Sequence, residues 1–106
     1  MNELEEISEE LEKAMAAVYS RIGWRSISGD DRRELTKTLS NMFDARLRLT
    51  AAAVNQVRGH SANIVTNLRK VTNNARSRAD KINSTQRTIQ FAGVAVTTII
   101  DLIPFT

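Results

Sequence analysis

The chain lacks most of the residues from which catalytic and metal sites are built. It contains no cysteine, which excludes a disulfide framework and a thiolate metal site. His60 is the only histidine, so a metal site built on paired histidines is also excluded. Neither a glycine-rich phosphate loop nor a strand–turn–helix nucleophile motif is present. These absences predict a protein that is not an enzyme and that binds no cofactor.

The start of the chain lacks the features of a secretory signal peptide. It reads MNELEEISEELEK, with neither a basic flank nor an apolar run. We therefore expect a protein of the cytoplasm, or one that forms part of a larger particle or assembly. The length of 106 residues predicts a single domain.

What the chain does contain is charge, and the two signs are separated along the sequence. Residues 1–12 include six Glu and no Lys or Arg, a formal charge of −6. All fifteen basic residues follow, and residues 45–90 hold nine of them against the single Asp80. The chain is thus acidic at its start and basic through its middle, which favours packing between the two segments, in a hairpin or head to tail between copies.

Residues 3–22 show the clearest helical pattern. Their apolar side chains recur at steps of three and four residues, which places them on one stripe. Asn2 followed by Glu5 is typical of a capping box, and Gly23 predicts a left-handed C-terminal cap. Residues 23–29 then form a turn, in which Trp24 and Ile27 are expected to pack back under the helices as apolar plugs.

Residues 30–88 predict a long basic helix or a pair of helices. Ser28 and Asp31 resemble a capping box at its start, and no proline follows before Pro104. A heptad register is consistent with a coiled-coil-like seam that joins several copies. The apolar seam residues are Leu47, Val54, Val57, Ile64, Leu68, Val71, Ile82 and Ile89. A break near Gly59 remains open; without it the helix forms a rod of roughly 75 Å.

Residues 89–106 form an apolar tail that must be buried. Its large apolar residues are Phe91, Val94, Val96, Ile99, Ile100, Leu102, Ile103 and Phe105. As a helix, residues 89–105 span about 25 Å, short of the roughly 30 Å hydrocarbon core of a bilayer. Burial in a protein assembly is therefore favoured, and membrane insertion is the alternative.

A basic face is the remaining candidate for function. It comprises Arg69, Lys70, Arg76, Arg78, Lys81 and Arg87. In a continuous helix these residues scatter around the axis, and residues 44–90 contain no aromatic side chain for base stacking. Pairing with the acidic helix is favoured, and nucleic acid is the less favoured partner.

The pattern as a whole predicts an all-α protein, a helical hairpin with a long coiled-coil-like second helix and an apolar C-terminal helical segment. The expected function is that of a self-assembling structural subunit of a larger helical assembly, such as a virion, secretion or contractile machine, with a homo-oligomer as its simplest form. A membrane-associated helical protein is the first alternative. A small helical inhibitor or binding module is the second.

Overall fold

In the computed structural model, residues 2–104 are described, and every regular element among them is a helix, which confirms the all-α prediction. The elements in chain order are α1 (Glu3–Ile22), α2 (Gly29–Thr50), α3 (Val54–Val57), α4 (Ser61–Arg76) and α5 (Lys81–Leu102).

The first helix has the predicted bounds, and both predicted N-terminal caps are present. The Asn2 side chain accepts a hydrogen bond from the backbone N–H of Glu5 at 2.8 Å, and Ser28 accepts one from Asp31 at 3.1 Å. The predicted left-handed cap at Gly23 is wrong, since its φ is −79°. The last turn of α1 is closed instead by the Trp24 N–H, which donates to the Arg21 carbonyl.

The four long helices form a closed ring. α1 packs against α2 and α4, and α5 packs against the same two helices. The short connection between α1 and α2 makes them antiparallel. Hydrogen bonds from Gln86 to Asp31 and from Arg48 to the Ile103 carbonyl show that α2 and α5 run in the same direction. The result is a four-helix bundle, and the short α3 lies on the path from α2 to α4.

The predicted long helix over residues 30–88 is divided. The chain leaves the helical conformation at 51–53, 58–60 and 77–80. Gly59 has a φ of +86°, in the left-handed region that favours glycine, so the interruption there has a local cause. Because the heptad register runs across all three interruptions, the coiled-coil seam is not confirmed.

The seam residues fall into two groups in the fold. Four of them, Val57, Ile64, Leu68 and Val71, are fully buried in the core of their own chain, and Ile89 packs against that core. The other three, Leu47, Val54 and Ile82, are exposed. The buried four therefore have no surface left for a second copy.

Most of the apolar tail, residues 89–102, lies inside α5 and is largely covered by its own chain. Val96, Ile99 and Ile103 are buried, and Phe91, Ile100 and Leu102 pack against the core. Val94 is exposed, and Phe105 lies outside the described residues. The apolar face that was assigned to a partner or a membrane thus packs within the bundle. No helix within residues 2–104 combines the length and apolarity needed to cross a bilayer.

The dimensions decide between a rod and a bundle. The radius of gyration is 13.5 Å, and the principal extents are 42 × 25 × 17 Å. A compact domain of this length has a radius of gyration of about 13 Å. The rod that a continuous second helix required is therefore excluded.

Candidate functional site

The connections 23–28 and 77–80 meet at one end of the bundle, where Arg21 joins them. The Nη1 group of Arg21 donates to the carbonyl oxygens of Asn74, Ala75 and Ser77 at 2.9, 2.9 and 3.0 Å. Its Nη2 group donates to the Lys81 carbonyl at 2.9 Å and to Ser84 Oγ at 2.7 Å, and Nε donates to Thr85 Oγ1 at 2.8 Å. One buried side chain thus holds the end of α4 and the start of α5.

Arg21 uses its whole hydrogen-bonding capacity inside the fold. A guanidinium has five N–H donors, and the six acceptors around it account for all of them. Burial lowers the pKa of Arg21, and the Asp31 carboxylate acts in the opposite direction. An arginine nevertheless keeps its charge in proteins. That charge sits at the C-terminal end of α4, where the helix dipole favours a cation.

Trp24 lies directly beside the Arg21 guanidinium. The Arg21 guanidinium stands 4.4 Å from the centroid of the Trp24 ring, and the Arg78 guanidinium stands 5.5 Å from it. Arg32 fixes the preceding turn by donating to the carbonyls of Ile22 and Trp24 at 3.0 and 2.9 Å. The loop that carries Trp24 is therefore held on both sides by arginines.

Four exposed cations surround Trp24, and we name this set, together with Trp24, the basic corner. The cations are Arg25, Arg76, Arg78 and Lys81. None of them makes an ion pair within 4.0 Å in the described part of the chain. A cleft of about 470 Å³ is lined by Trp24, Arg25, Ser26, Arg78 and Lys81. Arg76 lines a second cleft, of about 280 Å³, that shares Trp24 and Arg78 with the first. The corner therefore presents unneutralised positive charge around a shaped depression.

Two carboxylates border the basic corner. Asp31 accepts a hydrogen bond from Gln86 at 3.1 Å, and it lines a neighbouring cleft together with Lys81. Asp80 accepts a hydrogen bond from Asn83 at 2.6 Å, and it directly precedes α5 with a φ of 47°. The four cations exceed these two carboxylates, so the corner keeps a net positive charge.

The residues of the predicted basic face are only partly brought together. Arg76, Arg78 and Lys81 meet at the corner. Arg69 lies 3.6 Å from Glu6 and 3.5 Å from Glu10, as expected for pairing with the acidic helix. Lys70 stands over the Phe91 ring at 5.0 Å, and Arg87 is exposed on α5.

Sequence reasoning missed two members of the corner. Trp24 and Ile27 were predicted to pack under the helices as apolar plugs, and Ile27 is indeed buried and Trp24 packs against the core. Trp24 is only half-buried, however, and it also lines the cleft; Arg25 was not selected at all. The available signal was a Trp-Arg pair inside a turn rich in glycine and serine, where side chains reach solvent. The partners of that pair lie some fifty residues later in the chain, so no local pattern joins them.

Other chemistry finds little support in the described part of the chain. No three His, Asp or Glu side chains within residues 2–104 are placed to hold a metal ion. Comparison with protein-family models, with curated proteins and with solved structures finds no match to this chain. The basic corner therefore stands as the candidate functional site on its own geometry.

Proposed function

We propose that the protein is a non-catalytic binding module that holds an anionic partner at the basic corner. The observation that carries the proposal is the group of four exposed cations around Trp24 that have no ion-pair partner in the described residues. A group of unpaired cations raises the local concentration of anions and speeds the association of an anionic partner with the protein.

The rigidity of the corner supports the same proposal. Arg25 and Arg78 lie in the two loops, and Arg76 and Lys81 lie at the helix ends that flank the second loop. Both loops are tied to Arg21 or to Arg32 by hydrogen bonds of 2.7–3.0 Å. A site whose groups are already in place loses less conformational entropy when it binds. Because Arg21 already donates hydrogen bonds to the carbonyls at the end of α4, Arg76 and Arg78 remain available to a partner.

The predicted coiled-coil seam is not the surface that binds a partner in this proposal; the basic corner is. The seam residues Ile64, Leu68 and Val71 are buried inside the bundle, so contacts with a partner must use other side chains. Charged groups at the loop end are exposed and unpaired. The proposed function is therefore that of a binding module acting through electrostatic contacts.

Charge reversal at the corner tests this function. We expect the double variant R76E/R78E to bind a labelled oligoglutamate peptide and a labelled single-stranded oligonucleotide at least about tenfold more weakly than the wild type, because close opposite charges become like charges. Fluorescence anisotropy at about 50 mM salt measures both probes.

The matched control is K37E/R58E, which changes the net charge by the same amount at two exposed residues outside the corner. It should reduce binding by less than about threefold. The proposal is overturned if neither probe binds the wild type, or if both double variants lose binding equally.

A further inference from the structure

We infer that the anionic partner of the basic corner is the acidic start of α1 in a second copy of the chain, so that copies associate head to tail. This inference rests on the proposed function, since it names the partner of the same site. We call the six Glu residues of positions 3–12 the acidic start.

Glu3 and Glu5 lie in the first turn of α1, and the basic corner lies beyond its last turn, at the opposite end of the bundle. They are separated by the length of α1, whose 20 residues span about 30 Å. Trp24 and Arg25 follow the C-terminal end of that helix directly. A copy displaced along the 42 Å axis of the bundle therefore places its acidic start against the corner of its neighbour.

Part of the acidic start is free for such a contact. Glu3 and Glu5 make no ion pair within the described residues, and the exposed Glu5 carboxylate accepts one hydrogen bond, from the Asn2 side chain at 3.2 Å. Glu9 pairs with Lys13 at 3.5 Å on the exposed surface of the helix. Glu6 and Glu10 instead pair with Arg69, and Glu12 pairs with Arg46; these ion pairs hold the helix in its own bundle.

The surroundings of the corner favour a helix end over a nucleic acid. Two guanidinium groups already stand over the Trp24 ring, so a base stacks there only after Arg78 is displaced. A continuous phosphate backbone also meets the carboxylates of Asp31 and Asp80 beside the corner. Glu3 and Glu5 lie within one helical turn, so they reach the cations without stacking on Trp24 and without a continuous run of charge along Asp31 and Asp80.

The symmetry of the contact sets the form of the assembly. One copy contributes its acidic start and the next its basic corner, so the interface is heterologous and each complex keeps one free site of each kind. Unless the rotation closes a ring, the product is an open chain of copies. Its stability falls as salt screens the charges.

Sedimentation velocity of the full chain tests the inference. The wild type should associate at about 50 mM salt and dissociate at about 500 mM. We expect E3K/E5K and R76E/R78E each to weaken association at least about tenfold when alone. Mixed in equal amounts they should associate again, because the unaltered basic corner of E3K/E5K meets the unaltered acidic start of R76E/R78E.

The outcomes separate the two proposals. A wild type that is monomeric at low salt and high concentration, while R76E/R78E loses binding of a probe, overturns the head-to-tail inference alone. Tight corner binding of the oligonucleotide by a monomer identifies nucleic acid as the partner and also overturns it. Salt-sensitive association that neither reversal weakens overturns it as well. Circular dichroism of each variant confirms that the bundle is intact.

Discussion

Arg21 is a buried charge whose stabilising contacts are neutral acceptors. Its guanidinium meets backbone carbonyls and the hydroxyls of Ser84 and Thr85, and no carboxylate accepts a hydrogen bond from it in the described residues. Such an arrangement compensates desolvation only while every donor and acceptor is paired. The side chain is therefore a structural support for the basic corner rather than a ligand-binding group.

We expect Arg21→Met to lower the free energy of unfolding by about 3 kcal/mol or more. The change leaves the carbonyls of Ala75 and Ser77 and the hydroxyls of Ser84 and Thr85 without the Arg21 donor, and each unsatisfied buried group costs about 1–3 kcal/mol. Urea denaturation followed by circular dichroism measures the effect. A decrease in the free energy of unfolding of less than about 1 kcal/mol would contradict the structural role assigned to Arg21.

Arg25→Met is the matched control, since Arg25 is exposed and its side chain has no hydrogen bond or ion pair in the described residues. The same substitution there should change the free energy of unfolding by no more than about 0.5 kcal/mol. Arg21→Lys should not restore the free energy of unfolding, because an ammonium has three donors and lacks the planar fork of a guanidinium.

At the scale of the helices, two glycines have opposite roles. Gly59 adopts a φ of +86° between α3 and α4, and a side chain there is strained. Gly93 lies inside α5, is exposed, and leaves open space around an added Cβ. The first ends a helical segment, whereas the second only weakens one.

The same substitution should therefore change the free energy of unfolding in opposite directions at these two positions. Gly59→Ala should destabilise the fold by about 1–2 kcal/mol, because alanine pays the left-handed penalty that glycine avoids. Gly93→Ala should stabilise it by about 0.5–1 kcal/mol, since alanine restricts the unfolded chain and favours the helix. Thermal unfolding of both variants checks the pair. Equal signs would contradict the assigned conformations.

At the scale of the whole molecule, α5 completes the bundle. Its buried face includes Ala92, Ala95 and Ile99, which pack in the common core with residues of α1, α2 and α4. The small alanines allow close approach of neighbouring helices, and the surrounding helices cover the apolar tail. Membrane insertion of the tail stays a prediction, and it requires this face to leave the core.

Truncation of two tail side chains tests which face the bundle covers. Ile99→Ala should lower the free energy of unfolding by about 2–5 kcal/mol, as for other buried large-to-small changes. Val94→Ala, at an exposed position of the same helix, should change it by no more than about 0.5 kcal/mol. Both are measured by urea denaturation of the full chain. If Ile99→Ala is also neutral, the tail does not belong to the core.

Local patterns were sufficient for much of the helical content. The 3.6-residue stripe and the Asn2 and Ser28 caps predicted the bounds of α1 and the start of α2, because these signals depend on neighbouring residues only. They failed at residues 51–53, where three alanines favour helix and the chain nonetheless turns. There, burial of Val57 and the bond from the Ala53 N–H to Gln56 outweigh local propensity.

By itself, the sequence determined the helical class, the separation of charge and the poverty of catalytic residues, since each follows from composition or short-range spacing. Only the tertiary structure decided what covers the tail and where the cations meet. Periodicity marks an apolar face but does not identify what packs against it. The pattern around Leu68 and Ile99 therefore fits a contact between copies as well as it fits the core of a single chain, in which both residues are buried. Trp24 and Arg78 became neighbours because Arg21 joins two distant loops.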